Sequence, residues 1–366
     1  MKVPFIDLGR AFKKHRKEYM DIAESAWENG MIVGGKYVEE FENNISSMCM
    51  RKYGIAVASC TDALYFSLLA NNIGVGDEVI VTSHSFVASA SCILKVGATP
   101  VFMDIELDTF MIDPDNIKEY ITDHTKAIIA VHLYGQSLPI QKIENIAAAH
   151  SLILIEDAAQ SLGAMYDNRP VGSMGDISCI SFDSLKTLGS FGNGGMLLTD
   201  DDTSVDILKS LGNHGKIPNN NNEKHHYVGG RSVMTSAEAG MLNRRLVDFG
   251  SDVIDRTRIA NIYNDGLSNI KSIITPQSNK GSHTWHKYVI MVEELEELNS
   301  FLLLNDIGTR TWHTPLYREP IFDRFIKSVC PNAELISTRI LGLPIFAEMT
   351  KNEAEYVVEI ISEFYH

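Results

Sequence analysis

The feature that most constrains the fold is an alternation. Across the first two-thirds of the 366-residue chain, apolar runs of four to six residues alternate with helical patterns. Residues 55–59, 78–81, 99–104, 127–132, 152–156, 177–182 and 195–199 read as strands. Residues 14–30, 37–50, 62–71, 88–95 and 140–150 read as helices. Strands this short and continuously apolar, spaced by helices, predict an α/β domain around a mainly parallel sheet buried on both faces.

The pattern changes near residue 240. A long charged helix is predicted over 236–267, then an extended 284–292, a helix at 295–306, an extended 309–314 and a last helix at 351–364. A chain of 366 residues has room for roughly two domains. The expected division is a large domain over 1–245 and a smaller α+β domain over 246–366. The polar segment 215–230, with its asparagine run at 219–222, is a loop that is either a solvated connection or a functional one. His225 and His226 in it lack the spacing of metal ligands and read as loop residues.

Composition excludes several classes. Lys and Arg number 32 against 47 Asp and Glu, a formal charge of −15. That disfavours a general nucleic-acid binder and a polybasic membrane-surface protein. The five cysteines, Cys49, Cys60, Cys92, Cys179 and Cys330, form no CxxC pair, so neither a disulfide scaffold nor a zinc site is expected. No apolar run reaches the ~20 residues of a membrane span, and the first residues lack a signal-peptide core. A cytoplasmic protein is the expectation.

Three segments point to chemistry. An apolar strand at 152–155 ends in Glu156 and Asp157, where an open parallel sheet has its ligand crevice; the plain alternative is a solvated turn. A second strand leads through Asp183 and Ser184 to Lys186 and a glycine-rich turn, 189–195, a place where a lysine loses solvent and can become a nucleophilic amine. A third runs from strand to helix through Ser59, Cys60, Thr61 and Asp62. Free N–H groups at that helix start form a phosphate cup, or else Cys60, Thr61 or Asp62 is an ordinary N-cap. A phosphate cup, a strand-end Asp and a later Lys together are what pyridoxal 5'-phosphate requires.

These residues carry a resemblance. Residues 156–164, EDAAQSLGA, resemble the EDAAQ-x-x-GA block of the DegT/StrS-type nucleotide-sugar aminotransferases, which are fold-type I pyridoxal phosphate enzymes. TDAL at 61–64, SF at 181–182 followed by Lys186, and GNGG at 192–195 resemble further blocks. So do VHLYGQ at 131–136, NHG at 213–215, WHKYVI at 285–290 and Leu343-Pro344. The likeness starts at VPFIDL, residues 3–8, and runs to about residue 350.

The resemblance implies roles. Lys186 is the Schiff-base lysine and proton shuttle, and Asp157 pairs with the pyridinium nitrogen. Gln160 contacts the 3′-oxygen. Thr61, Ser181 and the backbone from Cys60 to Asp62 hold the phosphate. Phe86 falls where the family places an aromatic ring on the cofactor; its alternative is a core aromatic. His214, His313 and Tyr317 fall near the substrate. The reaction implied moves an amino group from an amino acid, L-glutamate by resemblance, to a 3-keto or 4-keto deoxyhexose on a nucleotide diphosphate. The HLYGQ stretch leans to C3. Such products feed cell-surface polysaccharide, lipopolysaccharide O-antigen included, or natural-product amino sugars. A homodimer with active sites at the subunit interface is implied as well.

Departures and competitors accompany the resemblance. Cys60 replaces the usual Gly of the cup, and Arg231-Ser232-Val233 stands where the family carries an Asn in a loop that reaches the neighbouring subunit's phosphate, so Arg231 is the candidate substitute. The family's sugar dehydratases carry His in place of Lys186. An inosose (cyclitol) aminotransferase would share the same motifs. A non-catalytic regulatory or binding protein on this fold would be expected to lose Lys186 or Asp157.

Overall fold

The computed structural model describes residues 1–217, 224–277, 281–312, 314–325 and 329–366. The chain opens with helices α1 (Leu8–Lys14), α2 (Arg16–Glu28) and α3 (Lys36–Met48). Then come β1 (Tyr53–Val57), α4 (Cys60–Ala70), β2 (Glu78–Thr82), α5 (Ala88–Lys95) and β3 (Thr99–Met103). After a 3-10 turn follow β4 (Thr125–Val131), α6 (Ile140–His150) and β5 (Ile153–Asp157). The short pair β6 (Met165–Tyr166) and β7 (Arg169–Pro170) precedes β8 (Ile177–Ser181), β9 (Gly195–Thr199) and α7 (Val205–Leu211).

The large sheet has the order β1-β9-β8-β5-β4-β2-β3. Strands β3, β2, β4, β5 and β8 run parallel, whereas β9 is antiparallel to both β8 and β1. This is the mainly parallel, mixed sheet of a fold-type I enzyme. Its strands are apolar because both faces are covered: β2, β8 and β9 are buried along their whole length. Helix α4 is buried on several sides through Ala63, Leu64, Phe66 and Leu68, so it lies within the core.

Helix α8 (Ser236–Leu267) has the bounds its charge pattern predicts, 32 residues and about 48 Å of rise. The division expected after residue 245 falls inside it. Leu242 and Phe249 belong to the core of the large sheet, while Ile259, Tyr263 and Leu267 belong to a second core. That second core covers a four-stranded antiparallel sheet of β10 (Ile273–Ile274), β11 (Tyr288–Val292), β12 (Arg310–Thr311) and β13 (Ile340–Leu343), in the order β10-β11-β13-β12. It is completed by α9 (Leu295–Leu304) and α11 (Lys351–Tyr365); α10 (Pro331–Ser337) packs on the first core instead.

The predicted helix over 14–30 differs from the structure. Two helices meet at His15, whose φ of −131° interrupts the spiral, and α1 begins six residues before the expected start, capped by the Asp7 side chain on Arg10 N. Val3 exchanges backbone bonds with Asp306 (2.9 Å) and Gly308 (2.8 Å), so the first residues are strapped across the small core.

Candidate active site

Thr61, Phe86, Asp157, Gln160, Ser181 and Lys186 lie at or just after the carboxyl ends of strands of the large sheet, the end where open parallel sheets bind ligands. Strand β5 ends at Asp157, which pairs in register with Val131 of β4 and Cys179 of β8. The Asp157 side chain is 3 % exposed. Its Oδ2 accepts a 2.7 Å hydrogen bond from Ser89 of α5, and its Oδ1 a 3.2 Å bond from Ala159 N. Burial pushes its carboxyl above the usual range; Ser89, Ala159 N–H and the charge of Lys186 pull it back. Such a carboxylate is under-compensated and favours a cationic partner.

The other strand-end acid, Glu156, has a different task. It is fully buried and accepts from Gly172 N (2.6 Å), Met174 N (3.0 Å) and Ser178 Oγ (2.5 Å). His132 Nε2 lies 3.0 Å away. Because Leu138 N–H donates to His132 Nδ1 at 3.0 Å, the ring hydrogen is assigned to Nε2, on the side of Glu156. Burial alone would raise the Glu156 carboxyl, but His132 and these donors hold it below the usual range. Arg51 closes the same network on the carbonyls of Gly172, Met174 and Gly175. Glu156 therefore shapes the bend behind Asp157 and does not face the crevice.

Strand β8 delivers the lysine. Ser190 N bonds to Phe182 O, and Lys186 N to Asp183 O, folding 182–190 into a tight return. Lys186 is half-buried. Burial pushes its ammonium below the usual lysine range, against the opposing pull of Asp157 and Asp183. The amine is thereby biased toward its neutral, nucleophilic form.

The cup forms at the start of α4, with one difference from expectation. The N-cap is Ser59, whose Oγ accepts from Asp62 N at 3.1 Å. Cys60 and Thr61 therefore occupy the first turn, and their N–H groups and the Thr61 hydroxyl have no acceptor among the described residues. Free amides at a helix start are an anion receptor. Gly195 lies alongside: a Cβ there would stand 2.3 Å from Ser59 C and 2.5 Å from Cys60 N, so only glycine lets β9 pass. Gly195 is also in register with Ser181 of β8. Ser181 Oγ accepts from Asp183 N at 3.3 Å and keeps its own proton to donate. The Cys60 thiol is buried and pushed well above its ordinary range by desolvation, so it is neither a thiolate nor an acid at neutral pH.

Asp62 faces away from the cup opening, accepting from Ser232 Oγ at 2.8 Å, and Ser232 also receives Ala58 N at 3.0 Å. This brings the 229–233 loop onto the cup of its own chain. Arg231 itself is exposed and donates to Asn213 Oδ1 at 3.0 Å. Gln160 Oε1 accepts from Tyr134 N at 3.2 Å, which leaves the Gln160 NH2 group to donate elsewhere. Phe86 is 65 % exposed, which removes the core alternative, and Ser89 N bonds to its carbonyl one turn before the Asp157 contact.

Two of the three expected substrate residues stand apart. His214 is exposed in a left-handed conformation (φ 57°), and its carbonyl accepts from His225 Nδ1 at 2.6 Å. Tyr317 is 1 % exposed, and its hydroxyl is committed to Glu334 and Cys330 N, so it supports the first core. His313 lies outside the described residues. Ser89 and Lys287 are near the centre but escaped the sequence reading. Among the described residues no group of His, Cys, Asp and Glu could hold a metal, and no helix is long and apolar enough to cross a membrane.

A free anion cup, a buried strand-end carboxylate and a desolvated lysine agree with what the whole chain matches. The model of the DegT/DnrJ/EryC1/StrS aminotransferase family matches residues 13–362. The chain belongs to that family. It is 35% identical to a protein named pleiotropic regulatory protein from Geobacillus stearothermophilus, over 100% of this chain and 99% of the relative. It is 34% identical to dTDP-3-amino-3,6-dideoxy-alpha-D-galactopyranose transaminase from Aneurinibacillus thermoaerophilus, over 99% of each. The crystal structure of S. venezuelae DesV with a ketimine intermediate superposes with a TM-score of 0.96 at 31% identity, covering 100% of this chain and 99% of that one. The chain is accordingly an aminotransferase dependent on pyridoxal phosphate. The fold expectation is met as well: the large parallel sheet and its crevice are those of this family.

Proposed function

We propose that this aminotransferase transfers the amino group of L-glutamate to a keto sugar carried on a nucleotide diphosphate. The observation that carries the reading is Asp157 at the end of β5 and Lys186 in the loop after the adjacent β8, each desolvated and within the other's field. Bound between them, pyridoxal phosphate supplies the electron sink that lets a proton leave the donor's Cα.

The residues divide the work. Asp157, short of a compensating charge, keeps the cofactor's ring nitrogen protonated. Lys186 would hold the cofactor through its amine and would serve as the base that takes up and returns the donor's Cα proton. The free amides of Cys60 and Thr61 and the hydroxyls of Thr61 and Ser181 hold the phosphate. Gln160 donates its NH2 to the 3′-oxygen, and exposed Phe86 covers a ring face. Arg231, next to the residue that ties its loop to the cup, supplies a cation for the phosphate or the nucleotide. A protein of formal charge −15 thus meets anions with local donors.

The names of two relatives, the dTDP-3-amino-3,6-dideoxy-alpha-D-galactopyranose transaminase and a dTDP-3-amino-3,4,6-trideoxy-alpha-D-glucose transaminase of Streptomyces venezuelae, support a nucleotide-linked sugar, with C3 as the aminated carbon. Exposed Trp27, Ile32 and Leu185, with Phe86 at the site mouth, suit a second copy of the chain, and we propose a homodimer. The five cysteines are all free and buried, which suits a reducing cytoplasm. One relative is named as a regulator; the intact Lys186 and Asp157 favour chemistry in this chain.

Incubation with L-glutamate and a panel of nucleotide-linked 3-keto and 4-keto sugars tests the assignment. Glutamate should bleach the visible band of the cofactor-loaded protein, and a 3-keto sugar should restore it. Restoration only by free inososes would replace the sugar-nucleotide assignment.

A further inference from the structure

Several cations of this acidic protein are matched by carboxylates; Arg10, Lys14, Arg51, Lys52, Lys142, Arg169 and Arg244 all carry ion pairs. The second core presents the opposite beside Lys186. Lys287, one residue before β11, is half-buried and has no carboxylate within ion-pair distance among the described residues. Its backbone N bonds to Tyr134 O at 3.1 Å, and its Nζ stands 4.9 Å from the centre of the Phe5 ring.

Phe5 is fixed there by the strapped first residues. Gly308 has no side chain where that strap crosses: a Cβ would lie 2.6 Å from Phe5 N. The lysine is thus held against the Phe5 ring and, through Tyr134, next to Gln160.

Its electrostatic neighbours come from every element around it. Arg256 of α8, Lys186 of the loop after β8 and Arg310 of β12 repel its charge, and Asp183 alone favours it. Adjacent His286 is 4 % exposed with no partner for its Nδ1, and Arg256, 5 % exposed, has none for its Nε. Lys287 lies in the field of Lys186 and of buried Arg256, with Arg310 exposed; Asp183 opposes these charges, and Asp252 and Glu348 act on Arg256. Such a cluster is complementary to an anionic ligand.

We propose that Lys287 anchors the α-carboxylate of the amino-acid donor in the first half-reaction and releases that place to an uncharged sugar ring in the second. The inference rests on the reading of the chain as a sugar aminotransferase. The donor's α-carboxylate is one bond from the reacting Cα, so its anchor must lie beside Lys186. The diphosphate of a keto sugar is separated from the reacting carbon by the sugar ring, and it belongs farther out. The same space must then accept a carboxylate and a neutral ring in turn. A permanent charge such as a free guanidinium would be left desolvated and unpaired in the second step. A lysine can lose its proton: burial, with the repulsion of Arg256, Lys186 and Arg310, pushes Lys287 down to about 7. Near that value its charge responds to what it faces: a carboxylate favours the ammonium and an uncharged ring favours the neutral amine.

The two half-reactions are measured separately on cofactor-loaded protein. Mixing with L-glutamate gives the donor affinity from the bleaching of the visible band; mixing the amine form with the keto sugar gives the acceptor step. Lys287→Met, which keeps the contact with Phe5, should weaken glutamate about 30-fold or more, with the acceptor step changed by less than about threefold. Lys287→Arg should restore glutamate affinity and slow the acceptor step. Glutarate, which has no amine to titrate, should perturb the band of the wild type more weakly by about tenfold at pH 8.5 than at pH 6, and equally at both in Lys287→Arg. Unchanged glutamate affinity in Lys287→Met, or an equal loss in both half-reactions, would overturn the anchor alone. A wild-type chain that accepts glutamate but aminates no keto sugar would overturn the proposed function while leaving the donor measurement intact.

Discussion

Ser89 Oγ donates a 2.7 Å hydrogen bond to Asp157 Oδ2, joining the first turn of α5 to the end of β5 across 68 residues of sequence. The bond does two things. It fixes the carboxylate plane in a site that is 3 % exposed, and it offsets part of the desolvation that raises the carboxyl. Removing the hydroxyl should leave Asp157 less ionised and a poorer partner for a cation. Ser89→Ala is expected to weaken cofactor retention by about 1–2 kcal/mol, some 5- to 30-fold, with little change in folding. Equilibrium dialysis of pyridoxal phosphate against the variant checks this, and Ser89→Thr should restore binding. Unaltered retention would remove the bond from the functional account.

Glu156 shows how differently two adjacent acids are used. Its carboxylate ends on three donors from the 172–178 segment and on His132. Glu156→Gln keeps the shape but replaces an acceptor-only group by one with an NH2 facing donors. A loss of about 3 kcal/mol in denaturant unfolding is expected, with the midpoint shifted and the slope preserved. A neutral outcome would mean that the segment is held by Arg51 and its carbonyl contacts alone.

The Arg10–Glu353 pair ties α1 to the capping box of α11, at 2.6 and 2.9 Å. The Arg10 guanidinium, with Thr350, holds Glu353 down to about 2. A depressed carboxylate contributes stability that is present above its unfolded value near 4.5 and is lost as pH falls through about 2. Arg10→Met should therefore cost about 2 kcal/mol at neutral pH, discounted for the partial exposure of Arg10, and the gap to wild type should close between about pH 4.5 and pH 2. Thermal unfolding across that window measures it; a gap independent of pH would assign the loss to packing on Phe346 instead.

Lys287 has the opposite sign. Its folded value near 7 lies below the ordinary 10.5, so the folded state binds fewer protons than the unfolded one and stability rises with pH between those limits. Below about pH 7 the protein must charge a half-buried amine among like charges. Lys287→Met, free of cofactor, should be more stable than wild type by about 2 kcal/mol near pH 7, with the difference shrinking toward pH 10. A constant difference would show that the amine is solvated.

Much of this was readable in the chain, and the limits have physical causes. Helix α8 is bounded as its pattern indicates, because Thr235 caps it and Glu238 completes the first turn. Asp157, Lys186 and the 59–62 turn were legible because strand ends and glycine-rich returns are local features. The break at His15 was not, since neither Gly nor Pro marks it and the interruption follows from packing of α2 on α8. The cap at Ser59 was missed by one residue, because β1 ends at Val57 and is set by its pairing with β9. Ser89 has no motif; its role exists only once α5 is laid beside β5. Tyr317 misled for the converse reason, since sequence shows a hydroxyl but not the Glu334 that occupies it.

The central claim is that Lys186 is the lysine that carries the cofactor. Reduction of the pyridoxal phosphate-loaded protein with borohydride, followed by digestion and peptide mass spectrometry, tests it most directly. The account predicts a single pyridoxyl label on Lys186 and none in Lys186→Ala. A label on Lys287, the other desolvated lysine beside the site, or no label at all, would contradict it.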